Sequence, residues 1–238
     1  MKKKIILASS SPRRIELLEA AGYDPIIIPA NIDEVVSSAF SPAETVMHLA
    51  FQKASYVRRT LNNIMGMMDE VSEKADFDDR ETIRTSLLAE NLPVIGADTI
   101  VYFSEKSEDE KEPNGCNPSE DSAGFGIIGK PKDREDALDI LMRLSGKAHK
   151  VYTGVAILPL LTSDEDEIFY DETTVYFKSY TPEDLLEYLD TDEPYDKAGA
   201  YAIQGYFGRF IDHIEGDYDN VMGLPLYRVI EHLRKNNL

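Results

Sequence analysis

A short apolar run at the start of the chain passes directly into a helix, so the first two elements follow from the sequence. Ile5–Ala8 is apolar and has the length of one buried strand. Ser11 can cap a helix that begins at Pro12, because a proline at the first helical position gives up no hydrogen bond. Gly22 is a natural end for that helix. The chain therefore begins with a strand and a helix, joined by a turn of three serines.

The first turn of this helix carries Arg13 and Arg14, where acidic residues are the usual choice. Two cations beside free backbone N–H groups make a poor cap. Together with the serine cluster that includes Ser9, they make a good cradle for a phosphate chain. The alternative is a pair of solvated arginines on a surface helix, and this turn alone does not decide between the two.

Composition excludes several classes of function. The chain has 238 residues, enough for one large domain or two small ones, and 25 Lys plus Arg against 44 Asp plus Glu give a net charge of −19. This balance argues against binding to nucleic acid or to a membrane surface, but not against a small anionic ligand. The single cysteine, Cys116, excludes an internal disulfide framework. With no membrane-spanning run and no signal peptide, we expect a soluble cytoplasmic protein.

Two charged residues lie within apolar patterns. Asp98 is in the middle of the apolar strand predicted over Pro93–Phe103, where a carboxylate is costly unless it is paired, bound to metal or used in chemistry. Lys53 lies on or beside the buried face of a helix that the capping box Ser41–Glu44 opens. Two structural alternatives stay open: an acid satisfied by backbone donors, and a lysine whose stem covers apolar surface. Asp98 is the best catalytic candidate.

A glycine-rich stretch places a further lysine near that strand. Phe125–Ile128 predicts a return strand that delivers Lys130 into a tight turn and forms a hairpin with the strand of Asp98. The stretch resembles two nucleotide motifs only loosely. It lacks the strand and helix of a dinucleotide fingerprint, and Pro131 replaces the Ser or Thr that a P-loop requires. The acidic residues 104–123 are predicted to form an insertion at the tip of the hairpin.

The second half of the chain alternates between strands and helices. Glu193–Gly205 is too rich in glycine for a regular helix, and we expect its polar groups to converge on a site, the alternative being a surface loop. The other elements expected are a helix over Asp133–Leu144, strands over His149–Leu158 and Ile168–Phe177, a helix from Thr181, and a last helix over Leu226–Arg234.

Taken together, these motifs resemble the Maf family of nucleoside triphosphate pyrophosphatases. The matching blocks occur in the family's order: Ala8–Arg14, Asp33–Glu34, Gln52–Ala54, Gly96–Thr99, Gly129–Pro131, Leu144–Gly146, Glu193–Gly205 and Gly223–Pro225. The resemblance implies an α/β fold of the Maf/Ham1-like type, with a long mixed sheet, flanking helices and a central cleft between two lobes. It also implies a single domain over residues 1–238, interrupted by acidic insertions at about 61–90 and 104–124, and a homodimer.

The resemblance also implies the reaction, in which a nucleoside triphosphate and water give the monophosphate and pyrophosphate with the help of a divalent metal, Mg²⁺ first and Mn²⁺ or Co²⁺ as alternatives. Asp98 is the expected general base, and Glu34 with Asp98 are the expected metal ligands. The groups expected to bind the triphosphate are Ser9, Arg13, Arg14, Lys53 and Lys130.

Three positions resemble the family branch that acts on dTTP and UTP rather than on 7-methyl-GTP: Arg13, Thr99 and Gln204. A glutamine amide offers a donor and an acceptor, which suits the N3–H and O4 edge of uracil or thymine. We therefore expect a dTTP/UTP pyrophosphatase, with modified pyrimidine nucleotides as further substrates. The alternatives are a 7-methyl-GTP pyrophosphatase and a nucleotide-binding regulator of cell division without turnover.

Overall fold

A computed structural model describes residues 2–71, 92–104, 126–160 and 165–235, and these residues form one mixed sheet of seven strands. The strands are β1 (Lys3–Leu7), β2 (Tyr23–Ile27), β3 (Pro93–Tyr102), β4 (Ile127–Ile128), β5 (Ala148–Pro159), β6 (Glu167–Phe177) and β7 (Ile211–Glu215). Their order is β2-β1-β3-β5-β6-β7, with β4 beside β3. β1 is parallel to both β2 and β3, and the remaining pairs are antiparallel. The predicted α/β fold with a mixed sheet is confirmed.

Helices cover both faces of this sheet. They are α1 (Pro12–Ala20), α2 (Pro42–Val71), α3 (Arg134–Leu144), α4 (Leu186–Leu189), α5 (Tyr218–Met222) and α6 (Leu226–Lys235). α2 packs on one face, through a cluster that includes Ala50, Ala54 and Val57. On the other face, α1 and α6 cover one part of the sheet, and α3 and α4 cover another part together with a group of aromatic side chains. No described helix combines the length and apolar content of a membrane span.

Two glycines let α2 lie close to the sheet. A Cβ at Gly96 of β3 would be 2.3 Å from the backbone oxygen of Ala50, and a Cβ at Gly154 of β5 would be 2.3 Å from that of Val46. Gly154 is also the cross-strand partner of Asp98. Because residues i and i+2 of a strand share a face, Asp98 faces α2 as Gly96 does. The close approach therefore brings α2 within reach of the Asp98 carboxylate.

Several element predictions hold, and others need correction. The capping box is confirmed, because the Ser41 N–H donates to Glu44 Oε2 and the Glu44 N–H donates to Ser41 Oγ. Ser11 occupies the N-cap position of α1, but its side chain makes no capping bond there. The helix expected from Thr181 is a 3₁₀ turn, Glu183–Leu185, followed by the short α4.

Other predictions concern the strand β7 and the insertions. β7 was not predicted, because its sequence alternates poorly and it pairs with the sheet on one side, at β6. α2 continues to Val71, so the first predicted insertion begins as a helical extension. The rest of that insertion, nearly all of the second one, and Cys116 lie outside the described residues.

Candidate active site

The site lies at a gap in the sheet. β5 runs along one edge of β3 over its whole length, so β1 and β4 share the other edge. β1 stops at the pair Leu7–Ile95, and β4 begins at the pair Ile128–Val101. Residues 96–100 of β3 therefore have none of the described strands beside them on this edge. A cleft of about 1130 Å³ opens there.

Most of the predicted site residues line this cleft, although they come from distant parts of the sequence. The turn after β1 contributes Ser9, Arg13 and Arg14, and the segment after β2 contributes Glu34. Lys53 comes from α2, and Lys130 from the turn after β4. Asp98 and Thr99 come from β3, at the gap itself. The fold thus brings together eight of the nine predicted residues; Gln204 is the exception.

Asp98 and Glu34 share one cation. Lys53 Nζ lies 2.5 Å from Asp98 Oδ1 and 2.8 Å from Glu34 Oε1. The Asp98 side chain is 13% exposed, whereas that of Glu34 is 48% exposed. The sequence left open whether Asp98 is satisfied by backbone donors and whether the Lys53 stem only covers apolar surface. In the structure, the two side chains form an ion pair with each other at the cleft.

Burial raises the pKa of Asp98 above its usual range, and this effect outweighs the opposing attraction of the Lys53 and Arg14 charges. A carboxylate with a raised pKa holds a proton more strongly, and it is therefore a better proton acceptor in its ionised form. Asp98 thus combines access to the cleft with the basicity that proton abstraction from water requires.

Arg14 has a different environment from the one the sequence suggested. Its Nε donates to Gly223 O at 2.8 Å, its Nη1 to Ala97 O at 3.0 Å and to Ser9 Oγ at 3.1 Å, and its Nη2 to Thr99 Oγ1 at 3.1 Å. Four of the five N–H donors of a guanidinium are used in this way. Burial lowers the pKa of Arg14. One N–H remains for a phosphate, so the main task of Arg14 is to tie the serine turn to β3 across the gap.

Arg13 and Lys130 are the cations with donors to spare. Neither makes a hydrogen bond or an ion pair with any residue that the structure describes. Lys130 is exposed and Arg13 is partly buried, and they come from different walls of the cleft. Both are placed to receive an anionic ligand.

The loop over residues 193–205 places one predicted residue outside the cleft and a further residue within it. Gln204 is exposed and is not among the residues that line the cleft. Tyr201 and Ile203 do line it, and the backbone bends over residues 203–205, which leaves Gln204 in solvent. Lys197 lines the cleft as well, pairs with Asp196 and donates to Glu193 O at 2.6 Å. The sequence indicated a site in this loop but did not single out Lys197.

The donor set suits a divalent cation that also binds the substrate. Among the described residues, no three His, Cys, Asp or Glu side chains form a group that could hold a metal on their own. Mg²⁺ is usually held by one or two carboxylates together with phosphate oxygens and water. Glu34 and Asp98 already converge on a single positive charge, the Lys53 ammonium, and so fit this pattern.

Comparisons with known proteins find relatives that match nearly the whole chain. A protein of Bacillus cytotoxicus named dTTP/UTP pyrophosphatase is 38% identical over 233 residues, which cover 98% of this chain and 95% of that protein. One of Bacillus anthracis with the same name is 38% identical over 236 residues, or 99% of this chain and 97% of that protein. The Staphylococcus aureus Ham1 structure aligns with 99% of this chain and 100% of that one at 13% identity, with a TM-score of 0.39.

The family comparison is the most direct. The family described as Maf-like protein matches residues 4–236, from the first strand to the end of the last described helix. The match includes every residue placed in the cleft above. The chain belongs to the Maf-like protein family.

Proposed function

We propose that this chain is a nucleoside triphosphate pyrophosphatase that hydrolyses dTTP and UTP to the monophosphate and pyrophosphate. The observation that carries the proposal is the Asp98 carboxylate, which lies in the gap of the sheet with a raised pKa and with cations around it. The names of the relatives at 38% identity support the same activity and supply the choice of substrates.

In this proposal Asp98 accepts a proton from a water molecule as the water oxygen attacks the α-phosphorus. A new P–O bond forms, the bond from the α-phosphorus to the bridging oxygen breaks, and pyrophosphate leaves with that oxygen. General-base assistance of this kind contributes about 10²- to 10⁴-fold to a rate.

The cleft cations neutralise the charge of the triphosphate. Arg13 and Lys130 have free donors and bind phosphate oxygens directly, whereas Lys53 holds the two carboxylates in place. Glu34 and Asp98 would hold a divalent metal, Mg²⁺ by preference, which would supply positive charge at the phosphate oxygens. Ser9 and Arg14 fix the shape of the turn that faces the phosphates.

Arg13 and Thr99 line the cleft, and in this proposal both contribute to the choice of pyrimidine nucleotides. Gln204 is exposed in the present structure, so a role in base recognition requires the 202–205 loop to turn toward the cleft. We also propose that the chain acts in the cytoplasm and as a homodimer, and that it binds neither nucleic acid nor membranes, in keeping with its net charge of −19. Sedimentation of the purified protein measures the assembly state.

Release of pyrophosphate with Mg²⁺ present tests the proposal, measured across dTTP, UTP, CTP, 7-methyl-GTP and GTP. We expect turnover mainly of dTTP and UTP, and a fall in kcat of about 10²- to 10⁴-fold in Asp98→Asn. Asp139→Asn, the same change on the exposed face of α3, is the control. Turnover of 7-methyl-GTP alone would refute the substrate choice, and binding without turnover would favour a regulator.

A further inference from the structure

The segment that carries Glu34 is the least supported wall of the cleft. We call residues 31–39 the Glu34 segment; they form no helix or strand, and all of them except Ile32 are exposed. A carboxylate on such a segment keeps a fixed position beside Asp98 only if contacts from another element hold the segment in place. The described contacts to α2 show where that hold comes from.

Two consecutive residues of α2 contact two consecutive residues of the Glu34 segment. Lys53 pairs with the Glu34 side chain, and the amide nitrogen of Gln52 donates to the backbone oxygen of Val35 at 3.2 Å. The Lys53 contact involves a side chain that is itself half exposed. The Gln52 contact fixes the backbone of Val35, the residue after Glu34, and so it restricts the position of the Glu34 Cα.

A histidine one turn earlier on α2 orients the Gln52 amide. The Gln52 nitrogen is 2.8 Å from His48 Nε2, and because an amide nitrogen only donates, this imidazole nitrogen is the acceptor. His48 in turn makes an edge contact with Phe40, the residue that follows the Glu34 segment. With the amide reversed, its oxygen would face the Val35 oxygen, so one orientation is favoured.

The Gln52 amide oxygen indicates that the residue is present for its two N–H donors. Gln52 Oε1 is buried and has no hydrogen-bond partner among the described residues. A buried amide oxygen without a donor is unfavourable, so packing alone does not explain a glutamine here. Both N–H donors, by contrast, are used, one on Val35 and one on His48.

We infer that Gln52 is a positioning residue that holds Glu34 in place for the metal-bound nucleotide, an inference that rests on the proposed function. Gln52 touches neither the substrate nor the metal; it acts through the Val35 backbone. Residues that orient metal ligands from outside typically change metal affinity about 10- to 100-fold when they are replaced.

The test replaces Gln52 by Met, which keeps the length of the side chain and removes the amide. The control is Thr60→Val, also on α2, where the lost hydroxyl has one described partner, the helix backbone at Tyr56 O. Two quantities are measured: Mn²⁺ affinity by electron paramagnetic resonance, with a non-hydrolysable dTTP analogue bound, and the rate of elastase cleavage within the Glu34 segment of the protein without nucleotide, followed by mass spectrometry. Thermal unfolding of each variant shows whether the fold is kept.

We expect Gln52→Met to weaken Mn²⁺ binding about 10-fold and to speed cleavage after Val35, Val36 or Ala39, while Thr60→Val changes neither. Unchanged cleavage would refute the hold on the segment, and faster cleavage with unchanged Mn²⁺ affinity would refute the positioning of Glu34. Failure of wild-type protein to bind Mn²⁺, or equal affinity in Glu34→Gln, would instead refute the proposed metal site, and the cleavage rates would still decide whether Gln52 holds the segment.

Discussion

Arg13 and Arg14 are adjacent in the sequence, yet they have different tasks in the structure. The Arg13 side chain donates to none of the described residues, whereas the Arg14 side chain donates four hydrogen bonds, to Ser9, Ala97, Thr99 and Gly223. A sequence pattern gives both the same meaning, because it shows that two cations follow a serine turn but not which of them turns inward. The helix geometry determines the angle between the two side chains, but tertiary packing determines which of them is buried.

Replacing each arginine by lysine separates the two tasks. A lysine cannot reproduce the forked donors of Arg14, so Arg14→Lys leaves buried acceptors unpaired, and we expect the free energy of unfolding to fall by about 2 kcal/mol or more. Arg13→Lys is expected to unfold like the wild type and to raise the KM for dTTP about 10-fold, the loss of one hydrogen bond to a charged group. Urea unfolding and steady-state kinetics measure both; the reverse pattern would show that the roles are exchanged.

At the scale of elements, the close contact between α2 and the sheet joins stability to catalysis. Gly96→Ala places a methyl group 2.3 Å from Ala50 O and 2.8 Å from the Ala54 nitrogen, and both atoms belong to the helix backbone. We expect a loss of about 1–3 kcal/mol in unfolding free energy and slower pyrophosphate release, because α2 must move and take Lys53 with it.

The control for that prediction is Gly129→Ala, where an added Cβ has nothing within 4 Å. Its unfolding free energy is expected to stay near that of the wild type in the same urea titration. Equal stability of the two variants would show that α2 can move away from β3 without a loss of unfolding free energy. An unchanged rate of pyrophosphate release would show that the distance between α2 and β3 does not govern the pairing of Lys53 with Asp98.

Several elements could be predicted from the sequence because their signals are local. The Ser41–Glu44 capping box, the helix after Asp133 and the strand around Asp98 each depend on neighbouring residues. β7 and the exposure of Gln204 could not be predicted, because both depend on how the chain after Gly205 returns to the sheet. The same reason explains why Lys197 was not singled out: its place in the cleft follows from loop conformation, not from spacing.

At the scale of the whole molecule, one buried histidine links folding to pH. His149 is 2% exposed, lies among Phe177 and Tyr201, and shares a hydrogen bond of 2.8 Å with the Tyr201 hydroxyl. Burial lowers its pKa from 6.5 to about 3. Between these values the unfolded chain binds a proton at this residue and the folded chain does not, so acid favours unfolding.

We therefore expect His149 to contribute a loss of about 1.4 kcal/mol in unfolding free energy for each pH unit below its unfolded pKa. His149→Phe should remove this part of the slope, and Tyr201→Phe, which keeps the buried imidazole, should retain it. Urea titrations at a series of pH values measure the slopes. An unchanged slope in His149→Phe would assign the acid sensitivity to other groups.

The gap in the sheet also has a consequence for protein engineering. Beyond the gap, β3 and β4 are held in register, and the Phe103 N–H donates to Gly126 O at 3.3 Å. The two residues that flank the connection, Phe103 and Gly126, are therefore neighbours, and the entropy cost of closing a connection between fixed ends grows only slowly with its length. We expect a fluorescent module grafted at this junction to leave the strand that carries Asp98 unaltered and to place its reporter next to the cleft.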